Sequence, residues 1–180
     1  MKKRSSASPH HRAGTPADFA VLADRVCERI ESLRDEVVAT NRWLYEHPEL
    51  SGVEHESSKY LGNRASAHGF SVEWGVAGLP TAFRAIRAGT GTGRRVAFLS
   101  EYDALPEVGH GCGHNFIGTA SAYAAIGLAC VADDIPGEIL LFGTPAEETF
   151  GGKILMLEAG LFDGIDAALM VHPGSETKVA

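Results

Sequence analysis

Apolar residues recur at spacings of three, four or seven from Phe19 through Leu22, Val26, Ile30, Leu33, Val37 and Leu44. That period predicts one long amphipathic helix with a single apolar stripe. Thr15-Pro16-Ala17-Asp18 opens it with a hydroxyl cap, a proline at the first helical position and an acid three residues after the cap. Pro48 stops it, leaving His47-Pro48-Glu49-Leu50-Ser51 as a turn. Cys27 lies beside the stripe and reads as a packing residue. A second helix is predicted over 57–68, closed by Gly69. The period then shortens. Phe70–Trp74, Thr81–Ala88 and Arg95–Ser100 read as strands, followed by an alanine-rich helix from Asn115 to Val131. Glu138–Phe142 reads as a strand, Gly152–Ala159 as a helix capped by Gly160, and Ala167–Val171 as a last strand. Strands alternating with helices of this length predict an α/β fold with helices on the faces of a sheet.

Composition narrows the class. The 180 residues are 44% hydrophobic and 22% charged, ordinary for one globular domain. A net charge of -7 and the lack of a basic stripe exclude a general nucleic-acid binder. No apolar run reaches the roughly 20 residues of a membrane helix. Three sparse cysteines, Cys27, Cys112 and Cys130, argue against a disulfide framework and for a reducing, cytoplasmic compartment. Residues 1–14 read as a disordered polar leader in which His10 and His11 are a solvated pair.

The candidate chemistry is concentrated between Glu101 and Asn115. Glu101, Asp103, His110, Cys112 and His114 can each bind or orient a metal, and the glycines at 109, 111 and 113 let the loop fold its donors toward one point. Other polar groups also follow strands: Glu101 and Asp103 after Ser100, Glu147 and Glu148 after Gly143, His172 after Val171. In open α/β sheets, ligands bind beyond the carboxyl ends of the strands. Thiolate, imidazole and carboxylate together suit zinc, with cobalt or manganese as substitutes, and one thiol among acids fits a catalytic site with an open position. Neighbouring glutamates on extended backbone point apart, so one of Glu147 and Glu148 can ligate while the other takes a proton from water that the metal acidifies. Gly89-Thr90-Gly91-Thr92-Gly93 is no dinucleotide fingerprint, because a strand follows it. A phosphate loop around Lys153 fails at Glu147 and Ile154. A nucleophilic Cys112 is disfavoured, because carboxylates around it oppose a thiolate. His47, His55 and His68 read as surface or helix-end residues.

Glu101-Tyr-Asp-Ala-Leu-Pro106, His110-Gly-Cys-Gly-His-Asn115, Gly143-Thr-Pro-Ala-Glu-Glu148, Val171-His-Pro173 and His47-Pro-Glu-Leu-Ser51 resemble the zinc-dependent aminoacylase, hippurate hydrolase and carboxypeptidase family of metallopeptidases. The resemblance runs from about residue 19 to the end, and is strongest to its aminobenzoyl-glutamate hydrolase and Xaa-Arg dipeptidase-like branch. It implies a three-layer α/β/α sandwich holding two zinc ions, acting on a small-molecule N-acyl amino acid or dipeptide, in a homodimer. Carried onto matching positions, Cys112, His114, Glu148 and His172 would be metal ligands, Glu147 the general base and Asp103 an orienting aspartate. Glu101 stands where other relatives carry a ligand histidine. Family members continue for about as many residues again, with a lid and a late histidine ligand. The expectation is therefore that 15–180 form the N-terminal part of a catalytic domain. The alternatives are an inactive metal-binding scaffold, or a redox or metal sensor using Cys112.

Overall fold

The computed structural model describes residues 15–174. The predicted leader over 1–14, with His10 and His11, lies outside them, as do 175–180.

The first helical stretch is two helices, not one: α1 (Pro16–Ser32) and α2 (Arg34–Glu46) meet at Leu33. Leu33 has φ -98° and ψ 7°, and its N–H reaches back to the Ile30 carbonyl at 3.1 Å. The bend lets each half find its own seat on a later helix, α4 (His114–Ala129). Ile30 of α1 lies over Gly127, where a Cβ would come within 2.5 Å of it, and Thr40 of α2 hydrogen-bonds Tyr123 at 2.9 Å. Leu33 and Leu44 are buried, whereas Phe19 stays 61% exposed. Cys27 is exposed and does not pack as predicted. The start follows the sequence: the Thr15 hydroxyl accepts from the Asp18 N–H at 3.3 Å, and Asp18 Oδ2 accepts from the Thr15 N–H at 2.8 Å.

After α3 (His55–Ala67) come β1 (Ser71–Trp74), β2 (Phe83–Ala88) and β3 (Arg94–Ser100). Beyond α4 lie β4 (Gly137–Gly143), α5 (Gly152–Glu158) and β5 (Ala167–Leu169). They form one mixed sheet in the order β1-β2-β4-β3-β5. β1, β2 and β4 pair antiparallel in turn, while β3 runs parallel to β4 and β5. Successive side chains of β4 serve opposite faces. Ile139 and Leu141 join Phe83, Ala85, Leu61 and Ile126 beneath α3 and α4. Leu140 and Phe142 join Ala97, Met156 and Phe162 on the α5 side. The expected α/β fold, with helices on both faces, is present. β5 is shorter than predicted: its ladder ends at Phe98↔Leu169, and Met170 and Val171 continue outside it. Among the described residues it pairs with β3 alone, so its other side adds no hydrogen bonds to extend it. Among the described residues no helix is long and apolar enough to cross a membrane.

Candidate metal centre

Three parallel strands, β3, β4 and β5, end at the same edge, and the chain after each carries the predicted residues. Past Ser100 the backbone stays extended, because the Ala104 N–H bonds the Glu49 carbonyl at 2.8 Å. This fixes Glu101 and Asp103, both buried, on either side of the buried Tyr102. The loop then closes on Leu105↔Gly109 and enters α4 through Gly113 at φ 78°, so His114 is the first residue of the helix and its ring turns inward. A side chain at Gly113 would also strike Pro173, whose Cγ lies 2.6 Å from the Cβ position, so His172 passes close to the start of α4.

His114 is the centre of the arrangement. Its Nδ1 lies 2.9 Å from the Asp103 carbonyl and 3.0 Å from Asp103 Oδ1. A carbonyl oxygen only accepts, so Nδ1 carries the proton. Nε2 is buried and, among the described residues, has no hydrogen-bond partner, and the same is true of Glu101 Oε2. Facing Nε2 are Glu101 Oε2 at 3.4 Å, Glu148 Oε1 at 3.7 Å and Glu147 Oε2 at 3.8 Å. The His172 ring lies edge-on to His114, with centroids 6.3 Å apart.

The two glutamates correct an expectation. They do not point apart, because Pro145–Phe150 is not extended: Ala146 has φ 56°, and a turn follows it. The buried carboxylate of Glu54 secures that turn. Its Oε1 accepts from the Ala146 N–H at 2.9 Å and the Gly52 N–H at 2.7 Å, and its Oε2 from the Thr81 hydroxyl at 2.9 Å. Asp103 Oδ2 adds a second tie, accepting from the Glu148 N–H at 3.0 Å and the Ser51 hydroxyl at 2.6 Å.

The electrostatics follow. Burial alone would raise the Asp103 carboxyl, but hydrogen bonds from His114, Ser51 and the Glu148 N–H outweigh it and bring it down to about 2. Burial likewise opposes the charged form of His114, yet Asp103 and Glu101 raise it above its ordinary value. The hydrogen bond to Glu148, then burial and the charges of Glu148, Glu147 and Asp103, push the Cys112 thiol up to about 11. Cys112 therefore sits against the acidic cluster, where the neighbouring carboxylates oppose its thiolate.

Ligating atoms of Glu101, His114 and His172, and of His114, Glu147 and Glu148, lie within 4.8 Å of one another. An imidazole lone pair and three carboxylates facing one another, with two of these atoms buried and unpartnered, fit a divalent cation. His110 is not part of the set: it is buried with Nε2 on the Leu44 carbonyl at 3.0 Å. Ser51, Glu54 and Lys153 are partners that the sequence reading left without a role. Lys153, from α5, forms an ion pair with Glu101 Oε1. Ser51 belongs to the His47–Ser51 motif, which was the signal available for it.

No family model matches the chain. The mouse (Mus musculus) Xaa-Arg dipeptidase is 40% identical over 172 residues, covering 89% of this chain and 40% of its own length. A p-aminobenzoyl-glutamate hydrolase polypeptide of Escherichia coli is 35% identical over 176 residues, covering 87% of this chain and 34% of its own. Among solved structures, a dinuclear metal-binding peptidase of the M20 family from Bacillus subtilis superimposes with a TM-score of 0.70 at 26% identity, over 77% of this chain and 42% of that one. The chain thus spans well under half the length of these relatives. Homology to amidohydrolases and dipeptidases across nearly nine-tenths of the chain, on the same α/β fold, identifies it as a partial-length member of the metal-dependent M20 peptidase family.

Proposed function

We propose that this chain carries the metal-holding and proton-transferring part of a hydrolase that cleaves the amide bond of a dipeptide or N-acyl amino acid. One observation carries the reading: the buried Nε2 of His114, unpartnered, faces three carboxylates at 3.4 to 3.8 Å. The names of the mouse and bacterial relatives support the substrate class.

Cys112, His114, Glu148 and His172 would hold the metal, with two zinc ions in the whole protein and cobalt or manganese as substitutes. When bound, the metal acidifies water and polarises the scissile carbonyl. Asp103 holds His114 with Nδ1 protonated, so that Nε2 presents its lone pair. Glu147 is the more exposed of the adjacent pair. Its carboxylate accepts the proton of the attacking water and delivers it to the amide nitrogen, so that the amine leaves as the carbon–nitrogen bond breaks. Residues 15–180 are read as the N-terminal part of the catalytic domain of a cytoplasmic homodimer, in line with the resemblance and the sparse cysteines.

The test uses the full protein, with Xaa-Arg dipeptides and N-acetyl amino acids as substrates. Glu147→Gln is expected to keep its zinc and lose turnover by roughly 100-fold or more, because an amide accepts no proton. Glu148→Gln is expected to lose zinc. Near-normal turnover in Glu147→Gln removes the assigned base. Zinc binding without hydrolysis of either substrate class would favour the inactive metal-binding scaffold.

A further inference from the structure

Glu101 has no place in the ligand set carried over above, yet its surroundings are those of a ligand. It is 1% exposed, and its two oxygens face different partners. Oε1 is paired with the Lys153 ammonium from α5. Oε2 has no hydrogen-bond partner and lies 3.4 Å from His114 Nε2, itself buried and unpartnered.

The proton on His114 is on Nδ1, engaged by Asp103. In the neutral ring, Nε2 therefore turns a lone pair toward a carboxylate oxygen that also bears lone pairs. Two buried acceptors at this separation repel unless a positive charge, either a proton on Nε2 or a metal ion, lies between them. Lys153 cannot supply it, since it is held on the opposite oxygen. Glu101, His114 and His172 also place ligating atoms within 4.8 Å of one another, a group that shares only His114 with that of Glu147 and Glu148.

We propose that Glu101 is a metal-binding residue of this chain: Oε2 shares with His114 and His172 the binding of a divalent cation, while Lys153 holds Oε1 and offsets part of the carboxylate charge. The proposal rests on the metal-site reading above. It assigns opposite roles to two residues that form one ion pair. Glu101 attracts the cation, and Lys153, a few ångströms away, repels it.

The experiment measures zinc affinity of the full chain by competition with a chelating dye, for wild type, Glu101→Gln, Lys153→Met and the double variant. Melting in excess EDTA checks the fold of each. The double variant leaves no unpaired charge from the ion pair and keeps the test open if Glu101→Gln alone fails to fold. Glu101→Gln and the double variant are expected to bind zinc about 10 to 100-fold more weakly. Lys153→Met is expected to bind it as tightly as wild type or more tightly. Wild-type affinity in a folded Glu101→Gln chain, or in the double variant, overturns the proposal. So does a Lys153→Met chain weakened as much as Glu101→Gln, which would make the pair purely structural. A wild-type chain that binds no zinc at all defeats the metal-site reading itself, a different result from either.

Discussion

Two buried carboxylates stand at the same edge of the sheet and have opposite surroundings. Glu54 is fully enclosed, and both its oxygens accept from neutral donors: two backbone N–H groups and the Thr81 hydroxyl. Glu101 is as deeply buried but has one oxygen on Lys153 and the other on nothing. The first is a closed knot tying the loop after Ser51, the strand entry at Thr81 and the turn at Ala146. The second leaves one oxygen without a partner among the described residues, and this is where the proposal above puts a cation. Burial of a charged group therefore does not by itself mark a binding site. An unpartnered carboxylate oxygen facing an unpartnered imidazole nitrogen is the sharper mark.

The contrast can be broken most severely at its open side. His114→Ala removes an atom shared by both candidate ligand groups, so zinc affinity is expected to fall on the order of a thousandfold, more than a change outside the ligands produces. Dye competition reads it, and a change below tenfold would show that His114 is not central.

Glu54→Ala tests the closed side. It strands the N–H groups of Gly52 and Ala146 and the Thr81 hydroxyl, at an expected total of about 3 kcal/mol. The melt is taken in EDTA, so that metal binding does not enter. A loss confined to zinc affinity, with unchanged stability, would put Glu54 in the wrong class.

Acid unfolding of the metal-free chain sharpens the contrast through its sign. Asp103, beside the open set, falls to about 2 in the folded state. That is below its unfolded value of about 3.9, so it contributes about 2 kcal/mol above that pH and loses it as pH falls through the folded value. Glu54 is shifted upward by burial, so its charge costs stability once pH exceeds the unfolded carboxylate value, and protonation relieves that cost. Urea midpoints measured from pH 6 to pH 2 are expected to fall less in Asp103→Asn than in wild type. They are expected to fall more in Glu54→Gln. Parallel curves for all three chains would remove the distinction.

The smallest effect concerns Cys112. Its thiol is raised to about 11, first by the hydrogen bond to Glu148. Glu148→Gln in EDTA is expected to speed iodoacetamide labelling of Cys112 about tenfold at neutral pH, since the thiolate is the reactive form. An unchanged rate would mean that Glu148 does not govern the thiol.

Much of this was legible because the signals are local. The strand ends at Ser100 and Gly143, the cap at Thr15 and the glycine-spaced loop before His114 are each written in a few consecutive residues. The break at Leu33 was not, since an apolar residue there continues the stripe whether the helix bends or runs straight. The shared orientation of Glu147 and Glu148 depends on Ala146 adopting a positive φ, which nothing in an alanine announces. The pairing of Glu101 with Lys153 spans 52 residues and joins a strand end to a helix, beyond the reach of any spacing rule.

The short edge strand sets the order in which the site is assembled. β4 is paired along both sides, by antiparallel β2 and parallel β3, whereas among the described residues β5 pairs along one side only, with three residues of β3 and flanking bonds from Asp163 and Asp166 to Arg94 and Arg95. The first residue pair, Val96↔Ala167, closes a long excursion of the chain, so β5 is expected to dock after β3, α4 and β4 have formed a surface to receive it. Its amides should exchange with solvent well before those of β4, because opening it breaks so few bonds. His172 follows directly on this strand. The chain thus holds Glu101, Asp103 and His114 buried beside the sheet and carries the imidazole of His172 on the segment expected to open first.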